Sequence, residues 1–278
     1  MTNHIHDISQ VVGRPAGYVN DATGTQHVVY RGDADFNVIN EVRWDGTGLH
    51  YTNLNSAAGT RASAASRSGD PAAYVFRAQG TEHVVYRGFD DHVHELWKDA
   101  SGWHHSDLTA VTGAPAAAGA PAGYVFEAQG TQHVMYRSGD GHVHELWWEA
   151  TGGWHHGDLT AVTGAPTAAG DPAAYVFDAQ GTQTQHVMYR SGNGHIHELW
   201  WDATNGWGSG DLTTVTGAPT AAGDPAGYVF DAEGSQHVIY RAGNGHLYEL
   251  WWTAAQGWNQ CDLTAAAGSP PAAGDPGA

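Results

Sequence analysis

A Tyr-Val pair recurs five times along the 278-residue chain, at Tyr18, Tyr74, Tyr124, Tyr175 and Tyr228, at intervals of 56, 50, 51 and 53 residues. The surrounding unit recurs with it and reads most clearly at 121–164, PAGYVFEAQGTQHVMYRSGDGHVHELWWEATGGWHHGDLTAVTG. Such a period means a stack of supersecondary units, each too small to bury its own apolar face. In the third copy four short strand candidates can be read: Ala122–Phe126, Gln132–Arg137, His142–Trp148 and Trp154–Thr160. Ala-Gln-Gly, Ser-Gly-Asp-Gly and Ala-Thr-Gly-Gly punctuate them as turns. Four strands and an aromatic signature per ~40–50 residues predict an all-β fold, a β-propeller of four-stranded blades with five sequence repeats. A single domain over 1–278 is expected, with repeats near 14–63, 64–114, 115–165, 166–217 and 218–268. Residues 1–13 stand apart. His4–Gly13 aligns with a fourth strand and its exit, although the last repeat already holds its own copy at Asp262-Leu263-Thr264. This surplus outer strand could compete for the last blade, cap an edge or pair with another chain, so a homo-oligomer is one expectation.

Composition narrows the function classes. The 38 Gly and 11 Pro are too many for a helical protein, and 12 Trp, 12 Tyr and 6 Phe are too many for a disordered one. Net charge is −18, with only 11 Lys and Arg, which argues against a nucleic-acid partner and against an anionic membrane surface. The one cysteine, Cys261, excludes an internal disulfide and any multi-cysteine metal site. The Ala-rich stretches are broken by Gly, Pro and Asp, so membrane insertion is not expected. The first residues lack a basic region followed by an apolar stretch, and the expectation is a soluble chain, cytoplasmic at synthesis, with release by another route left open.

The repeats keep a set of side chains. The second strand begins with His and ends with Arg, the third carries Glu, and in four copies Trp follows two residues later. The candidate carbohydrate-binding residues are therefore His83, Arg87, Glu95 and Trp97; His133, Arg137, Glu145 and Trp147; His186, Arg190, Glu198 and Trp200; and His237, Arg241, Glu249 and Trp251. The first copy has His27, Arg31 and Glu41 but Arg43 in the Trp place, and its hairpin is two residues longer. Four sites are thus expected rather than five. The Gly-Asp/Asn-Gly loop suits a three-residue turn with a left-handed Gly. That register pairs Arg137 with Val143, Met135 with Glu145 and His133 with Trp147, placing His133, Arg137, Glu145 and Trp147 on one face.

A carboxylate acceptor, imidazole and guanidinium donors and a flat indole on one face suit a sugar, whose hydroxyls need acceptors and donors and whose C–H face stacks on Trp. The alternative is structural: Arg and Glu form a buried pair and the Trp residues pack between blades, leaving a protein–protein scaffold without sugar binding. Units of the form QHVxYR–G(D/N)GHxHELWW–GWxxxDLT over residues 17–264 resemble the PLL-type bacterial β-propeller lectins and, more distantly, the Aleuria-type fucose lectins. The resemblance implies multivalent binding of fucose-like or O-methylated sugars in pockets between blades, with glycans or glycoconjugates on cell surfaces as partners. It departs from the Aleuria-type pattern in placing His133 where that family has Arg, and from the PLL type in having five repeats rather than seven. No cofactor and no metal is expected. The pairs His92/His94, His142/His144 and His195/His197 have metal-ligand spacing, but the last repeat has His246/Tyr248 and the first has none. The near-identical copies and the lack of any Gly-x-Ser-x-Gly, phosphate-loop or His-Glu-x-x-His motif argue against an enzyme.

Overall fold

The computed structural model describes residues 11–32, 37–60, 69–179 and 181–277. They form five antiparallel four-stranded sheets, each hydrogen-bonded in chain order from first strand to fourth. In the third sheet the strands are Ala122–Phe126, Thr131–Arg137, Val143–Glu149 and Gly153–Asp158. By contact density the described residues divide into two compact units, one up to Val125 and one from Phe126 onward.

The central hairpin has the predicted register. Arg137 lies opposite Val143, Met135 opposite Glu145 and His133 opposite Trp147. Ser138 N–H donates to the His142 carbonyl at 3.0 Å, closing a three-residue loop in which Gly141 takes a φ of +87°. Alternation then fills both faces. Val134, Tyr136 and Leu146 bury on one, Met135 and Val143 on the other. The fully buried tyrosines Tyr86, Tyr136, Tyr189 and Tyr240 are the largest core side chains.

The fourth strand ends sooner than its sequence suggests. It stops at Asp158, and Leu159–Thr163 is a one-turn helix, so Leu159 and Thr160 leave the strand expected to reach them. The Asp-Leu-Thr motif explains the change residue by residue. The Asp158 side chain accepts from Ala161 N–H and caps the helix. Leu159 is buried, and the Thr160 hydroxyl accepts from Val143 N–H at 2.9 Å. Gly164 closes the turn in the left-handed region. The same device recurs at Asp107, Asp211 and Asp262, while the first repeat uses Asn53 and Asn55.

Of the surplus outer strand expected over 1–13, residues 1–10 lie outside the described residues. Val11–Gly13 belong to the first strand, Val11–Asn20, where Val12 pairs with Arg31. A register shift between Val12 and Ala16 accommodates Pro15, which has no N–H to give the ladder.

Candidate functional site

Each repeat holds its strand-two histidine between a hydroxyl and a carboxylate. In the fourth repeat His186 Nδ1 lies 2.7 Å from Glu198 Oε1 and Nε2 lies 2.7 Å from the Thr184 hydroxyl. The third repeat repeats both distances at His133, Glu145 and Thr131, and His83 and His237 are held alike. Nδ1–H donates to the carboxylate and Nε2 meets the hydroxyl, and the two bonds together aim the ring. A tyrosine of the first strand stacks on it, with ring centroids 5.5 Å apart for Tyr175 and His186 and 4.7 Å for Tyr228 and His237. Burial, followed by the nearby Glu198 charge, pushes the Tyr175 phenol well above its ordinary value, so it stays protonated and donates a hydrogen bond to Gln236 Oε1 at 3.0 Å. Burial and the bond to Glu249 hold the Tyr228 phenol up at about 12.

Between the fourth and fifth repeats, within the second compact unit, these groups border a cavity of about 410 Å³. Phe177, Thr184, His186, Glu198, Trp200, Gly210, Leu212 and Val215 line it from one side, and Gln236, Trp252 and Trp258 from the other. Phe177 meets Trp252 edge-on at 5.6 Å and fixes the floor. Glu198 Oε1 is held by His186, and Oε2 has no hydrogen bond among the described residues. The Trp200 indole lies on two glycines: a Cβ added at Gly208 would stand 2.7 Å from the ring and one at Gly210 3.3 Å. Its counterparts are covered differently. His104 stacks on Trp97 at 4.2 Å and His155 on Trp147 at 5.1 Å, from the position that Gly208 occupies in the fourth repeat. Trp200 faces Gly208 and Trp251 faces Asn259, so neither has a cross-strand imidazole over it.

No protein-family model matches the sequence and no curated protein matches it. Solved structures match the fold. AofleA from Arthrobotrys oligospora gives a TM-score of 0.64 at 16% identity over 92% of this chain and 72% of its own. A variant of the Aleuria aurantia lectin, solved with Fucα1-6GlcNAc, gives 0.64 at 20% identity over 95% and 83%. The lectin BP39L from Burkholderia pseudomallei gives 0.65 at 15% identity over 88% and 68%. The Aleuria aurantia lectin has a six-bladed β-propeller fold. The fold of this chain is β-propeller-like.

The arginines at the ends of the blades' second strands stand elsewhere. Arg190 is not among the lining residues; it reaches the Ala169 carbonyl at 3.2 Å and Asp224 at 3.4 Å in the segments connecting one blade to the next. Arg137 faces Asp171 at 3.7 Å and Arg241 faces Asp275 at 3.2 Å. Where Ala120 replaces the connecting Asp, Arg87 turns to Asp91 at 2.6 Å. The structure thus brings His, Glu and Trp together and assigns Arg to the connections. The buried pair is His with Glu, not Arg with Glu. Sequence reasoning missed the following blade's Gln236, Trp252 and Trp258. The second Trp of the Leu-Trp-Trp run, kept in the last three repeats, was the available signal, because alternation puts it on the opposite face from Trp200.

In the first compact unit the corresponding junction of blades one and two is filled. Glu82 stands where Gln236 does, Lys98 where Trp252 does and Arg43 where Trp200 does. Glu82 accepts from Asn20 at 2.9 Å and Lys98 at 3.2 Å, and the Tyr18 hydroxyl reaches both Glu41 and Glu82. Burial opposes the Glu82 charge, but the bonds from Asn20 and Lys98 and the charges of Lys98 and His27 outweigh it and hold its pKa below the ordinary value. Burial, then the two carboxylates, drives the Tyr18 phenol far up.

Proposed function

We propose that the chain is a carbohydrate-binding lectin and that the cavity between blades four and five takes a fucose-like or O-methylated monosaccharide. The observation that carries the reading is Trp200, packed on Gly208 and Gly210, lining the cavity beside a Glu198 oxygen that makes no hydrogen bond among the described residues. An indole face matches the C–H face of a pyranose, and a carboxylate oxygen accepts from adjacent hydroxyls. Gln236, whose carbonyl is occupied by Tyr175, has its amide N–H groups to donate. Leu212, Val215 and Phe177 offer an apolar wall for a methyl substituent. The Aleuria aurantia lectin in the similar solved structures carries fucosides, and a likeness of fold supports the same class of ligand here. His83, Glu95 and Trp97, His133, Glu145 and Trp147, and His237, Glu249 and Trp251 are proposed as the equivalent sites of a multivalent surface that reads cell-surface glycans. A small polar ring buries little area, so each site is weak and several sites gain strength by avidity.

A glycan array followed by calorimetry with methyl α-L-fucoside tests the reading. Binding that Trp200→Ala and Glu198→Gln weaken, in folded protein, supports it. A silent array with a specific protein partner recovered instead would establish the scaffold alternative.

A further inference from the structure

On the opposite face of the same fourth-repeat sheet, His195, His197 and Asp211 each bring one ligand atom within 4.8 Å of the other two. We propose that these residues bind a zinc-class divalent ion, independently of the sugar cavity. His195 and His197 alternate onto one face, with ring centroids 6.3 Å apart and planes 22° from parallel. Asp211 lies opposite His197 across the sheet, and its Oδ2 sits 2.7 Å from His195 Nδ1.

The second observation is a buried orphan. His197 is only 5% exposed, and its Nε2 has no hydrogen-bond partner. A buried imidazole nitrogen without a partner is the kind of donor a metal ligand supplies. The other repeats show why the orphan is particular to this one. His94 uses Nε2 on Asp90 and Nδ1 on His105; His144 uses Nε2 on the Ser138 hydroxyl and Nδ1 on His156. In the fourth repeat Ser209 replaces the second imidazole, Asn193 replaces Asp90, and the Ser191 hydroxyl is turned to Asn193 at 2.6 Å. Thr214 holds Asp211 through both its N–H and its hydroxyl, as an outer shell orients a ligating carboxylate. Two imidazoles and one carboxylate, with a fourth position left to water, suit Zn²⁺ and not the all-oxygen preference of Mg²⁺ or Ca²⁺.

The test is calorimetric titration of ZnCl₂ into the chelator-stripped full chain at pH 7.5, with ring ¹⁵N spectra of the histidines recorded alongside. The expected result is an ion bound with a shift of the His197 Nε2 resonance, and at least about a 10-fold loss of affinity at that site in His195→Ala and His197→Gln. MgCl₂ should leave the resonance in place. If His197→Gln does not fold, His195→Ala on its part-exposed side chain carries the same comparison. An unmoved His197 resonance at saturating zinc, or a folded His195→Ala chain in which that resonance moves at the same zinc concentration as in the parent, overturns the proposal.

Discussion

The junction of blades one and two and the junction of blades four and five start from the same His–Glu pair and end differently. In the first, His27 and Glu41 are joined to Tyr18, Asn20, Glu82 and Lys98 in one charged, hydrogen-bonded network. In the second, neutral Gln236 and apolar Trp252 take the places of Glu82 and Lys98, and the space that the ion pair would fill stays open. The lesson is that the His–Glu pair is a scaffold element, present whether or not there is a cavity. What decides the cavity is the facing strand and the residue that covers the Trp.

The largest effect is expected from breaking the closed junction. Glu82→Ala leaves the buried Asn20 amide unsatisfied beside a gap while the part-exposed Lys98 turns to solvent, and should cost about 2 kcal/mol of stability, the usual scale for a buried polar group that loses its partner. Urea denaturation measures it, and methyl fucoside binding at the other end of the chain should be untouched. Next, Gly208→His installs over Trp200 the imidazole that Trp97 and Trp147 already carry. Even a Cβ there meets the indole at 2.7 Å, so the ring must move, and sugar affinity at this site should fall about 10-fold, or about 1.4 kcal/mol. Calorimetry on the folded variant checks it, and unchanged affinity would show that the Trp200 face is not the platform. The converse, His155→Gly, uncovers Trp147 and should raise affinity at the third blade by a smaller factor, read as a higher apparent stoichiometry at fixed sugar concentration.

The smallest effect concerns acid. Burial holds His105, His144, His156 and His197 below the ordinary histidine value, whereas hydrogen bonds to Asp107 and Asp158 lift His92 and His142 above it. For the first group the unfolded chain takes up protons first as pH falls through about 6.5, so their contribution is complete above that pH and is lost on acidification. For the second group it is complete below about 6.5 and lost as pH rises through the folded value. The lowered set is the larger, and the urea midpoint should drop between pH 7.5 and 5.5. Replacing His156 by Gln, which removes one lowered group, should flatten that drop.

Much of the fold was legible because the repeats could be compared with one another. The hairpin register followed from a three-residue loop and a left-handed Gly141, both local, and it placed His133, Glu145 and Trp147 on one face as the structure does. The helix at Leu159–Thr163 was not legible, since one turn has no periodicity to show and is held by a cap and by the Thr160 hydroxyl on another strand. Arg137 and its equivalents shared the predicted face, yet a face is several residues long. Their guanidinium groups were drawn to the connecting Asp residues, whose position no strand pattern could reveal.

By itself, then, the sequence determined the repeat, the strands within it and which side chains share a face, because these depend on alternation and turn geometry over a few residues. Tertiary structure alone decided which of those faces became a cavity. That depended on what the neighbouring blade presents across the gap, Gln236 and Trp252 in one place and Glu82 and Lys98 in another, and on whether a glycine or a histidine lies against the indole. Packing between distant segments sets the first, as Phe177 on Trp252 shows, and the cross-strand neighbour within one hairpin sets the second.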